Sequence, residues 1–221
     1  MAAEIRIKIC GVRTPQDISV AAEAGAAYIG LVFVQKSPRF VTMDEAAALS
    51  LVPPAGVAKV GLFLDPDNAR LDEVTTRVAL DMIQLHGTES PERVKEVRDR
   101  YGLPVMKAVG IAEAADMDAV KTYSAVADQI LVDAKPPKKG ALPGGNGLPF
   151  DWNILAHHKY WTRPWMLSGG LTAQNVAEAI RLTGARQLDL SSGVESAPGV
   201  KSPDLIRAFC EAALADPPPL L

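Results

Sequence analysis

The chain has 221 residues, 48% of them apolar, with 23 basic against 26 acidic side chains and a formal charge of −3. That length suits one large domain or two small ones, and the slight acidity gives no footprint for nucleic acid, so an anionic ligand must be held by local donors. No run of about 18 apolar residues exists to span a membrane, and the start Met1-Ala2-Ala3-Glu4-Ile5-Arg6 lacks the basic-then-apolar plan of a secretory signal. Two cysteines, Cys10 and Cys210, make no disulfide framework, so a reducing cytoplasm fits.

Strand-length apolar runs alternate with helical stretches along the whole chain. Ile5 to Cys10 reads as the first strand. Thr14-Pro15-Gln16-Asp17 then opens a helix, with Thr14 as N-cap, Pro15 in the first turn, an acid at the third position and Gly25 as its stop. A second strand runs from Tyr28 to Val34, and the Thr42/Glu45 pair predicts a capping box for a helix from Met43 to Leu51. Val57 to Leu64 is a third strand, followed by a helix from Asp67 or Asn68 to Val78. Asp81 to Leu85 is a fourth, with Ser90-Pro91 leading the charged helix Glu92 to Tyr101. Val105 to Val109 and a helix from Ala112 to Tyr123 make the fifth unit, and Gln129 to Asp133 the sixth strand. A Pro-, Gly- and Lys-rich stretch, Lys135 to Pro149, precedes a short helix from Trp152 to His157; loops this long in compact domains tend to be lids or binding loops. Trp165 to Leu167, the helix Thr172 to Thr183 stopped by Gly184, Gln187 to Leu190 and the helix Pro203 to Ala215 complete the series. Asp216-Pro217-Pro218-Pro219 cannot continue a helix, so 216–221 should be a frayed tail.

Strands alternating with helices imply a parallel sheet covered by helices. Eight units of roughly 27 residues each imply closure into a (β/α)8 barrel, one domain over 1–221. The alternative, a doubly wound open sheet, would place a Gly-rich phosphate loop after the first strand; Gly11-Val12-Arg13-Thr14 has one glycine there. The last two strands instead end in small residues, Leu167-Ser168-Gly169-Gly170-Leu171 and Leu190-Ser191-Ser192-Gly193. In such barrels these loops commonly hold phosphate through backbone N–H groups and helix N-termini.

Reactive groups belong at the C-terminal ends of barrel strands. That rule selects Cys10, Arg39, Asp65, His86, Asp133 and Asp189. Cys10 is either a small buried hydrophobe or a base, and as a base it must ionise, which needs positive potential nearby. Asp133 ends an apolar strand, where a carboxylate is costly unless paired or protonated; it is either a general acid or a cap on the following loop. Asp189, between Leu188 and Leu190, lines the barrel or anchors loop amides, with support favoured over chemistry. Arg39 is a solvated charge or a bidentate grip on a carboxylate. His86 touches ligand or satisfies the rim. Cys210 reads as core, and His157 and His158 as structural. No His/Cys/Asp cluster has metal spacing, and there is no Gly-x-Ser-x-Gly elbow or Walker loop.

At these residues the chain resembles the phosphoribosylanthranilate isomerases of tryptophan biosynthesis. The matching pieces are Lys8-Ile9-Cys10-Gly11, Ser37-Pro38-Arg39-Phe40, Gln84-Leu85-His86-Gly87, Leu131-Val132-Asp133-Ala134, Gly144-Gly145-Asn146-Gly147 with Phe150-Asp151-Trp152, Leu167-Ser168-Gly169-Gly170-Leu171, and Asp189-Leu190-Ser191-Ser192-Gly193-Val194-Glu195 with Pro198-Gly199. Each is weak alone, and the ordered set is specific. Ser168 stands where alanine is frequent in the family, and Leu190 where valine is. The resemblance implies an Amadori rearrangement of N-(5-phosphoribosyl)anthranilate with no cofactor and no metal. It matches Cys10 to the general base, Asp133 to the general acid and Arg39 to the residue that grips the anthranilate carboxylate. Gly169, Gly170, Ser192 and Gly193 match the phosphate loops, with Asp189 and His86 completing the expected substrate-binding set. The expected partner is a small phosphorylated substrate, not nucleic acid or membrane, with the chain a monomer or homodimer. Two alternatives are a different enzyme on the same phosphate-binding barrel, such as an epimerase or a histidine-pathway sugar isomerase (the latter expected to use paired aspartates, where the first strand here ends in Cys10), and an inactive phosphosugar-binding or scaffold protein.

Overall fold

In the computed structural model, residues 4–135, 151–156 and 161–215 are described. Eight parallel strands close on themselves: β1 (Arg6–Cys10), β2 (Tyr28–Val32), β3 (Ala58–Phe63), β4 (Met82–Leu85), β5 (Val105–Ile111), β6 (Gln129–Ala134), β7 (Trp165–Leu167) and β8 (Gln187–Leu190). Each pairs with the next, and β8 returns to β1 with Lys8 opposite Asp189. This is the expected (β/α)8 barrel.

Helices α1 (Pro15–Glu23), α2 (Met43–Leu49), α3 (Asn68–Arg77), α4 (Pro91–Tyr101), α5 (Met117–Ser124), α6 (Asn153–Ala156), α7 (Val176–Thr183) and α8 (Pro203–Leu214) follow the strands. Both predicted capping boxes form. Thr14 accepts from Asp17 N while the Asp17 carboxylate takes the Thr14 N–H, and Thr42 and Glu45 do the same. Gly184 closes α7 in the left-handed conformation (φ 69°), which is why a glycine ends that helix.

Strand alternation sorts the side chains into two layers. Tyr28, Val60, Met106, Ala108, Leu131 and Met166 pack together inside the barrel. The other parity, including Ile7, Ile9, Ile29, Leu31, Ile83 and Ile130, packs against the helices, joined by Cys210 from α8. By the same parity Lys8, Cys10, Gln84, His86 and Asp133 point inward.

Three segments depart from the sequence expectation. The fifth helix is preceded by a 3₁₀ turn, Ala114–Asp116, because Asp116 Oδ2 captures the N–H groups of Ala112 and Glu113 at 2.8 and 3.1 Å. Helix α7 starts at Val176, not Thr172, because Asn175 holds the approach as a turn: its Oδ1 accepts from Thr172 N (2.8 Å) and its Nδ2 donates to Gly170 O (2.9 Å). An unpredicted antiparallel hairpin, β9 (Glu195–Ala197) and β10 (Val200–Lys201), follows β8, turning through Pro198-Gly199. The predicted loop lies almost wholly outside the described residues, as do His157, His158 and the 216–221 tail. No helix among the described residues is long and apolar enough to cross a membrane.

Candidate active site

Cys10 ends β1 on the inner face, 4% exposed. Its strand neighbour on the same face is Lys8, fully buried, whose Nζ donates to Asp189 Oδ1 at 2.7 Å. The other Asp189 oxygen accepts from Ser168 Oγ at 3.1 Å. Both oxygens of Asp189 are thus engaged by the protein, and the acid ties β1, β7 and β8 together. Burial pushes the Cys10 thiol up, opposed by the charge of Lys8; Asp189 adds to the rise and Lys201 opposes it.

Asp133 sits at the end of β6, 5% exposed. Its Oδ1 accepts from Ala134 N at 2.9 Å, and its Oδ2 lies 3.3 Å from His86 Nε2. His86 Nδ1 in turn lies 2.8 Å from Gln84 Nε2. With the glutamine amide donating, the imidazole carries its proton on Nε2 and donates it to Asp133. Gln84 Oε1 is buried without a partner among the described residues. Asp133 therefore caps its own loop with one oxygen, as one sequence reading had it, and turns the other toward His86.

The loops after β7 and β8 come together as glycine chemistry requires. A Cβ on Gly193 would stand 2.0 Å from the Leu171 carbonyl oxygen, so only glycine permits that approach. Gly169 (φ 92°) packs against Asp133; a Cβ there would lie 2.9 Å from Ala134 N and 3.2 Å from Asp133 Oδ1. Gly170 is also left-handed (φ 65°). Ser192 opens a 3₁₀ turn, Ser192–Val194, and neither that turn nor α7 carries a side-chain cap at its N-terminus. Val176 N at the start of α7 is taken by Thr172 O at 3.0 Å and Val194 N by Ser191 O at 3.4 Å, which leaves the N–H groups of Ser192 and Gly193 without a backbone partner among the described residues. Gly193→Ala should therefore force the two loops apart, lowering stability by about 1–3 kcal/mol and raising the KM for a phosphorylated substrate. Thermal melting and steady-state kinetics check this; an unchanged KM would separate Gly193 from phosphate binding.

Arg39 packs over Gly11 and makes a bidentate pair with Glu195, Nε–Oε1 at 2.8 Å and Nη2–Oε2 at 2.9 Å. Glu195 also accepts from Lys201 Nζ at 2.8 Å. Lys201 donates to the Ser191 carbonyl at 2.9 Å, and Ser191 Oγ donates to the Cys10 carbonyl at 3.0 Å. The hairpin thus carries a network from Arg39 to Cys10. Sequence reasoning gave no role to Lys8, Glu195 or Lys201. The signals present were a lysine inside an apolar strand and a Pro-Gly turn between two short extended segments. Asp65, by contrast, is a loop pin (φ 44°): its Oδ1 accepts from Thr88 N at 2.7 Å, and its own N–H donates to Glu89 at 2.8 Å. No group of three His, Cys, Asp or Glu among the described residues is arranged to hold a metal.

The family model for N-(5'-phosphoribosyl)anthranilate (PRA) isomerase matches residues 7–212. The chain belongs to the PRA isomerase family. It is 63% identical to an N-(5'-phosphoribosyl)anthranilate isomerase of Ruegeria sp. (strain TM1040), over 96% of this chain and 99% of that one. Among solved structures it is similar to the phosphoribosyl anthranilate isomerase of Thermotoga maritima, with a TM-score of 0.85 and 35% identity over 95% of this chain and 98% of that chain. Another PRA isomerase, solved in complex with reduced 1-(o-carboxyphenylamino)-1-deoxyribulose 5-phosphate, superposes with a TM-score of 0.83 and 33% identity over 95% of this chain and 98% of that chain. The chain is accordingly an isomerase of tryptophan biosynthesis on a (β/α)8 barrel.

Proposed function

We propose that this PRA isomerase rearranges N-(5'-phosphoribosyl)anthranilate to 1-(2-carboxyphenylamino)-1-deoxyribulose 5-phosphate with Asp133 as general acid and Cys10 as general base. One observation supports the residue assignment: three contacts, joined by short stretches of the β7 and β8 loops, run around the barrel mouth from one residue to the other. Cys10 is bonded to Ser191, Gly193 abuts Leu171, and Gly169 abuts Asp133. That series supports reading the acid and the base as two rims of one site, with the β7 and β8 loops as its wall.

The residue types suit the reaction. A protonated Asp133 gives its proton to the ring oxygen as the C1–O bond breaks and the nitrogen lone pair forms the Schiff base. A Cys10 thiolate then takes the C2 proton, and the C–H electron pair becomes the C1=C2 bond while the nitrogen returns to neutrality. The enolamine tautomerises to the ketone, gaining a proton at C1. Positioned acids and bases typically contribute about 10²–10⁴-fold each. The phosphate would be held by the N–H groups at Gly170, Ser192 and Gly193, whose fixed dipoles offset the protein's own acidity.

Glu195 holds one edge of the Arg39 guanidinium, orienting the remaining edge for the anthranilate carboxylate. Arg39→Ala should raise KM by about 10-fold or more with a smaller effect on kcat, the loss expected for a charge-assisted bond made in the ground state and the transition state alike. Substrate consumption followed by anthranilate fluorescence tests both claims. No turnover by the folded wild type would overturn the reaction, and an unchanged KM in Arg39→Ala would overturn the carboxylate contact.

A further inference from the structure

A thiol buried to 4% exposure does not ionise without help, and Lys8 is the nearest charge that opposes the cost of that burial. Lys8 and Cys10 are two residues apart on β1 and share its inner face. Gly30 of β2 stands in register with Cys10. A Cβ there would come within 2.9 Å of Cys10 Sγ and 3.3 Å of Lys8 Nζ, so the missing side chain makes the room in which thiol and ammonium meet. Asp189, in register with Lys8 on β8, fixes the ammonium at 2.7 Å and is itself fixed by Ser168.

We propose that Lys8 is a positioning residue for the reaction, the charge partner that lets the Cys10 thiol release its proton and stand as a thiolate, while Asp189 holds Lys8 in place. The proposal rests on the reading of Cys10 as the base. The step is a simple ionisation: the S–H proton leaves to solvent, the thiolate pairs with the Lys8 ammonium, and the thiolate later accepts the C2 proton of the sugar.

The charged groups that face Cys10 are Lys8 on its own strand, Asp189 on β8 and Lys201 on β10, the last held by Glu195. Their signs differ. Lys8 and Lys201 favour the thiolate and Asp189 opposes it, all against the dominant cost of burial. Burial works against the Lys8 ammonium too, but Asp189 and then Cys10 outweigh it and keep Lys8 charged. Burial lowers Lys201 despite Glu195, which makes it the weaker partner.

Thiolate absorbance at 240 nm is titrated in the substrate-free protein in a Cys210→Ala background, with the Cys10→Ala protein subtracted to remove tyrosine. Lys8→Met should move the Cys10 midpoint upward by about one pH unit or more, and Lys8→Arg, which keeps the charge, should stay near the wild type. The acidic limb of kcat/KM should follow the same order. Equal midpoints in wild type and Lys8→Met, or a shift in Lys8→Arg as large as in Lys8→Met, would overturn the proposal. Should Lys8→Met alone fail to fold, the double variant Lys8→Met/Asp189→Asn removes both charges, and its midpoint must still lie above that of the wild type, because Lys8 acts on Cys10 more strongly than Asp189 does. The titration does not depend on turnover. Shifts as expected together with a fully active Cys10→Ser would retain the charge pairing and discard Cys10 as the base.

Discussion

Cys10→Ser lowers kcat/KM by about 10²–10⁴-fold while the protein keeps its fold. Serine matches cysteine closely in shape, and its hydroxyl finds the same Lys8 ammonium beside it, so little packing is lost. What is lost is acidity: an alcohol does not ionise where a thiol does. The backbone bond from Ser191 Oγ to the residue-10 carbonyl is independent of the side chain and remains. The loss should therefore fall on kcat, with KM and melting temperature little changed. Steady-state fluorescence kinetics and a thermal melt distinguish this from unfolding. A fully active Cys10→Ser removes Cys10 from the role of base.

The second large effect is at the opposite rim. Asp133→Asn preserves size and keeps an oxygen to accept from Ala134 N, as Asp133 Oδ1 now does at 2.9 Å. On the proposed mechanism it removes the proton that opens the sugar ring, so a loss of about 10²–10⁴-fold in kcat/KM is expected. The new amide would face His86 Nε2, now 3.3 Å from Asp133 Oδ2. Two N–H groups cannot bond each other. The imidazole must then shift its proton to Nδ1, with Gln84 turning its unpartnered Oε1 to accept it. The polar chain is thus satisfiable in both variants, which argues for a catalytic loss without collapse. Steady-state kinetics and a thermal melt check this; a fully active Asp133→Asn would remove Asp133 from the role of acid.

Much of the candidate site could be read from β1 and β6. Cys10 and Asp133 each close an apolar strand, and the barrel rule places strand ends at the reactive face. The glycines at 169, 170 and 193 were legible because a backbone that must bend or approach closely leaves a mark in residue type. Lys8 was visible as an anomaly in an apolar strand, but its role was not. Its partner Asp189 is 181 residues away, and no local pattern connects them. Arg39 and Glu195, 156 residues apart, are the same case. The hairpin carrying Glu195 and Lys201 is too short for periodicity to register, and helix α7 lost its first turn to Asn175, whose side chain competed with the helix for backbone bonds.

The alternation of strands and helices, the caps and the identities of the thiol, the carboxyl and the glycines were determined by the chain as a string. Those features are local, set by side-chain period and by backbone φ/ψ. Only closure of the barrel decided which charges would meet inside it. Strand register brings Lys8 to Asp189 and leaves Gly30 opposite Cys10, and it is burial within that closed wall that makes each unpaired charge too costly to leave alone.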